Sequence, residues 1–115
     1  MQRIEKPWGY ELVWALTKNY AAKILHIKQG CSLSLQYHRF KEETLMVKSG
    51  VLTLQISEES EHLIKLSQGD VYHISPGIIH RMSAENGDVE VVEVSTPELD
   101  DVVRLQDDYG RTQVV

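Results

Sequence analysis

Short runs rich in Val, Ile and Leu recur along this chain, and each is ended by Gly, Pro, Asn or Asp. Side chains on a strand point to alternate faces, so runs of this length and period are how an all-β sandwich or barrel is written. The clearest is Val51 to Ser57, where Leu52, Leu54 and Ile56 alternate with Val51, Thr53 and Gln55. The same reading predicts strands over 10–15, 22–28, 32–38, 43–48, 62–66, 71–74, 79–84 and 89–95. Turn signals fall at Gln29-Gly30, Ser49-Gly50, Gln68-Gly69-Asp70, Pro76-Gly77 and Asn86-Gly87, the last being the strongest hairpin cue. No amphipathic helix of ordinary length is written here. After Pro97 the pattern changes, and 98–105 is expected to hold one helical turn before a charged tail.

A chain of 115 residues falls in the commonest size range for a single domain and can bury a core. The lone Cys31 cannot form an internal disulfide, and no long apolar run marks a signal peptide or membrane span, so a cytoplasmic protein without a membrane partner is expected. A net charge of -5 with no clustered Lys or Arg leaves no footprint for a phosphate backbone, which excludes nucleic acid as a partner.

Against that background one constellation carries chemistry. From Gly30 the chain runs five residues to Gln36, one to His38, four to Glu43 and six to Gly50. Gln36 and His38 are two apart on a strand, which puts both on one face within reach of a single ion. Glu43 follows after enough chain to turn and present a carboxylate from the neighbouring strand. His80, after the Ser75-Pro76-Gly77 turn, can complete a four-ligand site. An amide oxygen, two imidazoles and a carboxylate suit one divalent metal, zinc first, with manganese, nickel or ferrous iron as other fits. The absence of thiolate argues for a site with an open position. His26, His62 and His73 have the ordinary reading of surface or satisfied residues, and Trp8, Trp14 and Phe40 that of core or lid.

These residues resemble the cupin superfamily, whose first motif has this glycine, paired-ligand, glutamate and glycine spacing and whose second ends in Pro-Gly-x-x-His. Within it, the resemblance is to the C-terminal isomerase domain of type II mannose-6-phosphate isomerases, the bifunctional mannose-1-phosphate guanylyltransferases. Lys6-Pro7-Trp8-Gly9, Leu33 to His38, and Asp100 to Arg104 with Asp108-Tyr109-Gly110-Arg111 carry it. The resemblance implies a single-domain cupin-type double-stranded β-helix, a jelly-roll barrel. Residues 1–20 would be an N-terminal cover strand, 21–96 the barrel core and 97–115 a closing segment. It makes Gln36, His38, Glu43 and His80 the metal ligands. Nothing here corresponds to a nucleotidyltransferase half, so sugar-nucleotide synthesis is not expected.

The function this implies is aldose-ketose isomerisation of a small sugar phosphate of the mannose-6-phosphate kind. Lys23, Tyr72, His73 and Arg81 are the catalytic candidates, with Tyr72 and His73 on opposite faces of one strand. Lys41 and Arg104 are the candidates for phosphate at the barrel mouth, Arg104 because the resembling motif carries it. The same residues allow a metal-dependent cupin of other chemistry, an epimerase or dioxygenase, or a non-catalytic sugar-binding or regulatory module. If Ser32, Ser34, Gln36 and His38 face the lumen, Leu33, Leu35 and Tyr37 face outward as an apolar stripe. Such a stripe needs cover, and a twofold homodimer is expected to supply it.

Overall fold

The computed structural model describes residues 1–111. In chain order its strands are β1 (Gln2–Lys6), β2 (Gly9–Leu16), β3 (Ala21–Ile27), β4 (Leu35–Tyr37), β5 (Glu43–Ser49), β6 (Leu52–Gln55), β7 (Leu63–Leu66), β8 (Val71–Ile74), β9 (Arg81–Ser83), β10 (Val89–Ser95) and β11 (Val103–Gln106). No helix occurs among the described residues. A six-stranded antiparallel sheet has the order β1-β2-β3-β10-β5-β8. The set β7-β6-β9 and the pair β4-β11 form the second layer, joined by the bridges Ser32↔Ser83 and Gln36↔His80.

The inner face of the large sheet is sorted along its strands. On β3 it runs Ile27, Leu25, Lys23; on β10, Val89, Val91, Glu93; on β5, Val47, Leu45, Glu43. Register aligns these series, pairing Val89 with Ile27, Val91 with Leu25 and Glu93 with Lys23. The apolar half meets Leu52, Leu54, Leu66 and Met82 of the second layer and forms the core with them. Full burial of side chains this size contributes about 1.5–3 kcal/mol each, before the entropy of ordering them is counted. The other half is left to charged side chains, and it holds the site.

Crossing between layers demands glycine at one turn. Gly50, between β5 and β6, has φ +81°, and a Cβ there would lie 2.4 Å from the carbonyl oxygen of Asp88. No L side chain fits that backbone without displacing its neighbour.

Several expectations are corrected. The N-terminal cover is a β1/β2 hairpin that forms the edge of the large sheet, with Trp8 buried in the core between its strands. The helical turn expected before Leu105 is replaced by β11, which pairs with β4; Val102 and Val103 before Arg104 favour a strand once a partner is present. Residues 112–115 of the closing segment lie outside the described residues. Asn86-Gly87 makes no hairpin, because β9 on one side pairs with β6 and β10 on the other pairs with β3 and β5.

The strand expected over 32–38 is regular only at Leu35–Tyr37, so strict alternation fails before it: Leu33 joins the core cluster and Leu35 is buried. The stripe expected to need a partner is therefore largely covered within the chain. Trp14 and Phe40 are exposed.

Candidate metal centre and cavity

His38 stands one residue past β4, Glu43 opens β5 and His80 leads into β9, so the three come from neighbouring strand ends at the polar end of the barrel. The backbone dictates this. Gln36 and His80 exchange N–H to C=O bonds of 3.0 and 2.9 Å, and the N–H of Gly77 donates to the carbonyl of His38 at 2.7 Å, which seats the Pro76-Gly77 turn beside the ligand strand. Ligand atoms of His38, Glu43 and His80 all lie within 4.8 Å of one another, and all three residues are buried. Gln36, opposite His80, lines a cavity together with His38, and its Oε1 accepts a hydrogen bond from Ser34 Oγ at 2.6 Å.

The donor set fits a cation. Nδ1 of His38 lies 2.6 Å from the carbonyl oxygen of Asp101, and Nδ1 of His80 lies 2.9 Å from that of Ile78. A carbonyl only accepts, so each Nδ1 carries a proton and the Nε2 of each ring is the nitrogen turned inward. Both Nε2 atoms lie 3.2 Å from Glu43 Oε1. His80 Nε2 and Glu43 Oε2 have no hydrogen-bond partner. Burial pushes the Glu43 carboxyl up, but the two imidazoles and Lys41 outweigh it and hold the group well below its ordinary value. A buried carboxylate faced by two inward imidazole nitrogens is a donor set that a divalent metal can bind once the rings give up their Nε2 protons. Orienting an imidazole through its second nitrogen is also how metal-ligating histidines are fixed.

From this cluster a ladder of alternating charge crosses the large sheet. Lys41 Nζ lies 3.3 Å from Glu43 Oε2 and 3.2 Å from Glu93 Oε2; Lys23 Nζ lies 3.7 Å from Glu93 and 3.1 Å from Glu11; Lys6 Nζ closes the series 3.8 Å from Glu11. Burial would lower the Lys41 ammonium, but Glu93 and Glu43 carry it up to about 12. Burial, with the Glu43 charge behind it, pushes the Glu93 carboxyl up to about 7 against the pull of Lys41 and Lys23. The ladder forms one wall of a cavity of about 450 Å³.

Among the residues singled out from sequence, Lys23, Lys41 and Arg104 line this cavity. Tyr72 packs against the core instead. His73 is on the outer face, with Nε2 2.9 Å from Glu42 and Nδ1 3.1 Å from Thr44 Oγ1. Arg81 spends its guanidinium on the carbonyls of Leu33 and Gln106. Lys41 is not at a mouth: it is buried between two carboxylates.

Sequence reasoning missed Glu11, Glu93 and Asp101. The first two carry a legible signal, a carboxylate on the inward parity of a strand otherwise apolar on that face. Asp101 falls in the stretch from Asp100 to Arg104 that carries the family resemblance, which gives it no role of its own. Its carboxylate accepts the backbone N–H groups of Arg39, Phe40 and Lys41 at 3.0, 2.6 and 2.9 Å, fixing the loop between His38 and Glu43.

Residues 1–107 match the family model described as mannose-6-phosphate isomerase C-terminal. The xanthan biosynthesis protein XanB of Xanthomonas campestris is 30% identical over 96% of this chain and 24% of its own length. The alginate biosynthesis protein AlgA of Pseudomonas aeruginosa is 32% identical over 95% and 23%. The mannose-1-phosphate guanylyltransferase ManC of Salmonella typhimurium is 30% identical over 96% and 23%. The chain thus spans about a quarter of the length of the curated relatives it matches. Among solved structures, KdgF from Halomonas sp. superposes with TM-score 0.75 at 19% identity, covering 88% of this chain and 90% of that one. An RmlC-like cupin from Shewanella frigidimarina does so with TM-score 0.75 at 14%, covering 87% and 86%. At those identities the likeness shows the fold alone: a cupin-type double-stranded β-helix, as expected from the resemblance.

Proposed function

This chain belongs to the mannose-6-phosphate isomerase C-terminal family, and from that premise we propose that it interconverts the aldose and ketose forms of a phosphorylated sugar such as mannose 6-phosphate. The observation that carries this reading is the convergence of His38, Glu43 and His80 behind a cavity that Gln36 and His38 line and whose wall alternates ammonium and carboxylate groups. A divalent metal held by Gln36, His38, Glu43 and His80, zinc first, would supply Lewis acidity toward the carbonyl and neighbouring hydroxyl oxygens of an open-chain sugar.

The chain's own residues supply the rest. Asp101 and Ile78 aim the two imidazoles through their Nδ1 protons. Of the four catalytic candidates, Lys23 is the one on the cavity wall. Set between Glu11 and Glu93, its ammonium is a hydrogen-bond donor to a developing oxyanion, and those flanking carboxylates are the acceptors for the carbon-bound proton. Incubating the zinc-loaded chain with mannose 6-phosphate in deuterated water tests the reading. Exchange of the C2 proton with formation of the ketose is expected, and no exchange with any hexose phosphate overturns it.

We also propose a twofold homodimer, now through a different surface. On the outer face of the large sheet Leu12, Ile24, Val92, Met46 and Val71 pair in one continuous row across five strands, and Met46 and Val71 are exposed. Pairing this row with its copy about a twofold axis buries it. A monomer by light scattering at micromolar concentration overturns the dimer.

A further inference from the structure

The charge ladder has an unfinished outer end. Lys41 and Lys23 each donate a hydrogen bond to a carboxylate, at 3.2 Å to Glu93 and 3.1 Å to Glu11. Lys6 donates none among the described residues: its Nζ stops 3.8 Å from Glu11 Oε1, an ion pair too long for a hydrogen bond. Glu11 gives its other oxygen, Oε2, to Lys23. In the β1/β2 register Ile4 stands opposite Glu11, which makes Lys6, two residues on, a diagonal neighbour of Glu11 on the inner face. Both line the cavity, with side chains 27% and 10% exposed, and Ile4 and Val13 line it beside them. A carboxylate oxygen and an ammonium thus face one gap in the cavity wall, each with hydrogen-bonding capacity left over.

The anomeric centre of a closed sugar is the chemical complement of that gap. Its carbon carries a hydroxyl that must lose a proton and a ring oxygen that must gain one before the ring can open. A carboxylate only accepts and an ammonium only donates, so the pair meets both needs from one side. Ile4 and Val13 offer apolar contact to the C–H groups of the ring. Glu93, buried between Lys23 and Lys41, has no such opening.

We propose that Lys6 and Glu11 open and reclose the ring of the sugar phosphate, an anomer-exchanging activity that needs no metal. This deepens, and rests on, the aldose-ketose reading, which requires an open-chain sugar. Glu11 Oε1 takes the proton of the anomeric hydroxyl as the bond from the anomeric carbon to the ring oxygen breaks and the carbonyl forms. The ring oxygen takes a proton from the Lys6 ammonium. The proton left on Glu11 passes to the Lys6 amine across the gap, so both groups regain their charges before C2 loses its proton. From there the ladder runs on through Lys23, Glu93 and Lys41 to Glu43, so the aldehyde is released onto the wall that ends at the candidate metal centre.

Mannose 6-phosphate isotopically labelled at C1 is the probe, with exchange between its two anomers read by saturation transfer in nuclear magnetic resonance. The chain should speed exchange of the bound sugar about 100-fold or more over buffer at the same pH, as positioned acid and base groups do. The acceleration should persist after zinc is chelated. Glu11→Gln keeps an oxygen for Lys23 but no base, and Lys6→Gln keeps a donor but no proton to give; each should return exchange to the buffer rate. Lys6 is on an edge strand and partly exposed, so its variant decides the assignment if Glu11→Gln does not fold. No acceleration, acceleration lost on chelation, or acceleration that survives either substitution overturns the proposal. Faster anomer exchange without C2 exchange in the zinc-loaded chain keeps the ring opening and removes the isomerase. C2 exchange without faster anomer exchange keeps the isomerase and removes the ring opening.

Discussion

The backbone carbonyl of Asp101 lies 2.6 Å from Nδ1 of His38, a residue 63 positions earlier. The closing segment therefore orients an imidazole of the candidate centre, while the Asp101 side chain caps the loop that leads from His38 to Glu43.

Replacing Asp101 by Ala removes three hydrogen bonds to backbone N–H groups. A loss of about 1–3 kcal/mol in urea unfolding is expected. The alanine keeps the carbonyl that meets His38 Nδ1, so zinc affinity should fall only through the loosened loop between His38 and Glu43, by about tenfold or less. Zinc titration monitored by calorimetry checks this. Full affinity in a folded Asp101→Ala chain would show that the side chain does not support the centre.

Zinc binding should also show in thermal unfolding. The chain is expected to take up one equivalent by elemental analysis and to melt higher when loaded. At a free concentration near 100 times Kd the gain is about 2.7 kcal/mol. Chelation should reverse it, and His80→Ala should abolish it.

Lys41 is buried between Glu43 and Glu93. Lys41→Met leaves two carboxylates without their shared cation and should cost about 3–5 kcal/mol. Adding Glu93→Leu should recover part of that loss, which a double-mutant cycle in urea measures.

On the outer face His26 bridges two carboxylates, with Nδ1 3.0 Å from Glu90 and Nε2 3.1 Å from Asp88, and its ring stacks on Tyr10. The Gln29 N–H and then His26 lower the Asp88 carboxyl, while His26 and then Lys48 lower that of Glu90. Carboxyls depressed by folding add stability that is complete above their unfolded values, near 3.8 and 4.5, and is lost as pH falls through the folded ones. Acid unfolding curves should therefore flatten below that range in Asp88→Asn with Glu90→Gln, and an unchanged curve would remove the clamp from the account.

Much of the barrel was legible because apolar residues recur along it with period two, even where, as at Thr53 and Gln55 of β6, the other face is buried as well. Leu52 and Leu54 do bury in the core, and β8 runs over Val71–Ile74 as expected. His38, Glu43 and His80 were legible for the same reason, since local spacing on strands beside glycine turns fixes which face they share. What escaped depends on distant partners. β11 becomes a strand by pairing with β4, and nothing near Val103 announces that. Leu33 defeats the alternation because 32–34 runs irregularly between a single bridge at Ser32 and the start of β4. The charge ladder joins side chains from several strands, so only register could align them.

The contact between His38 and Asp101 also orders events in time. A ribosome delivers the imidazole long before the carbonyl that aims it, so a nascent chain halted short of that residue would carry the ring without its aim. Competence to grip an ion would then arrive late in synthesis, after most of the barrel's strands have emerged.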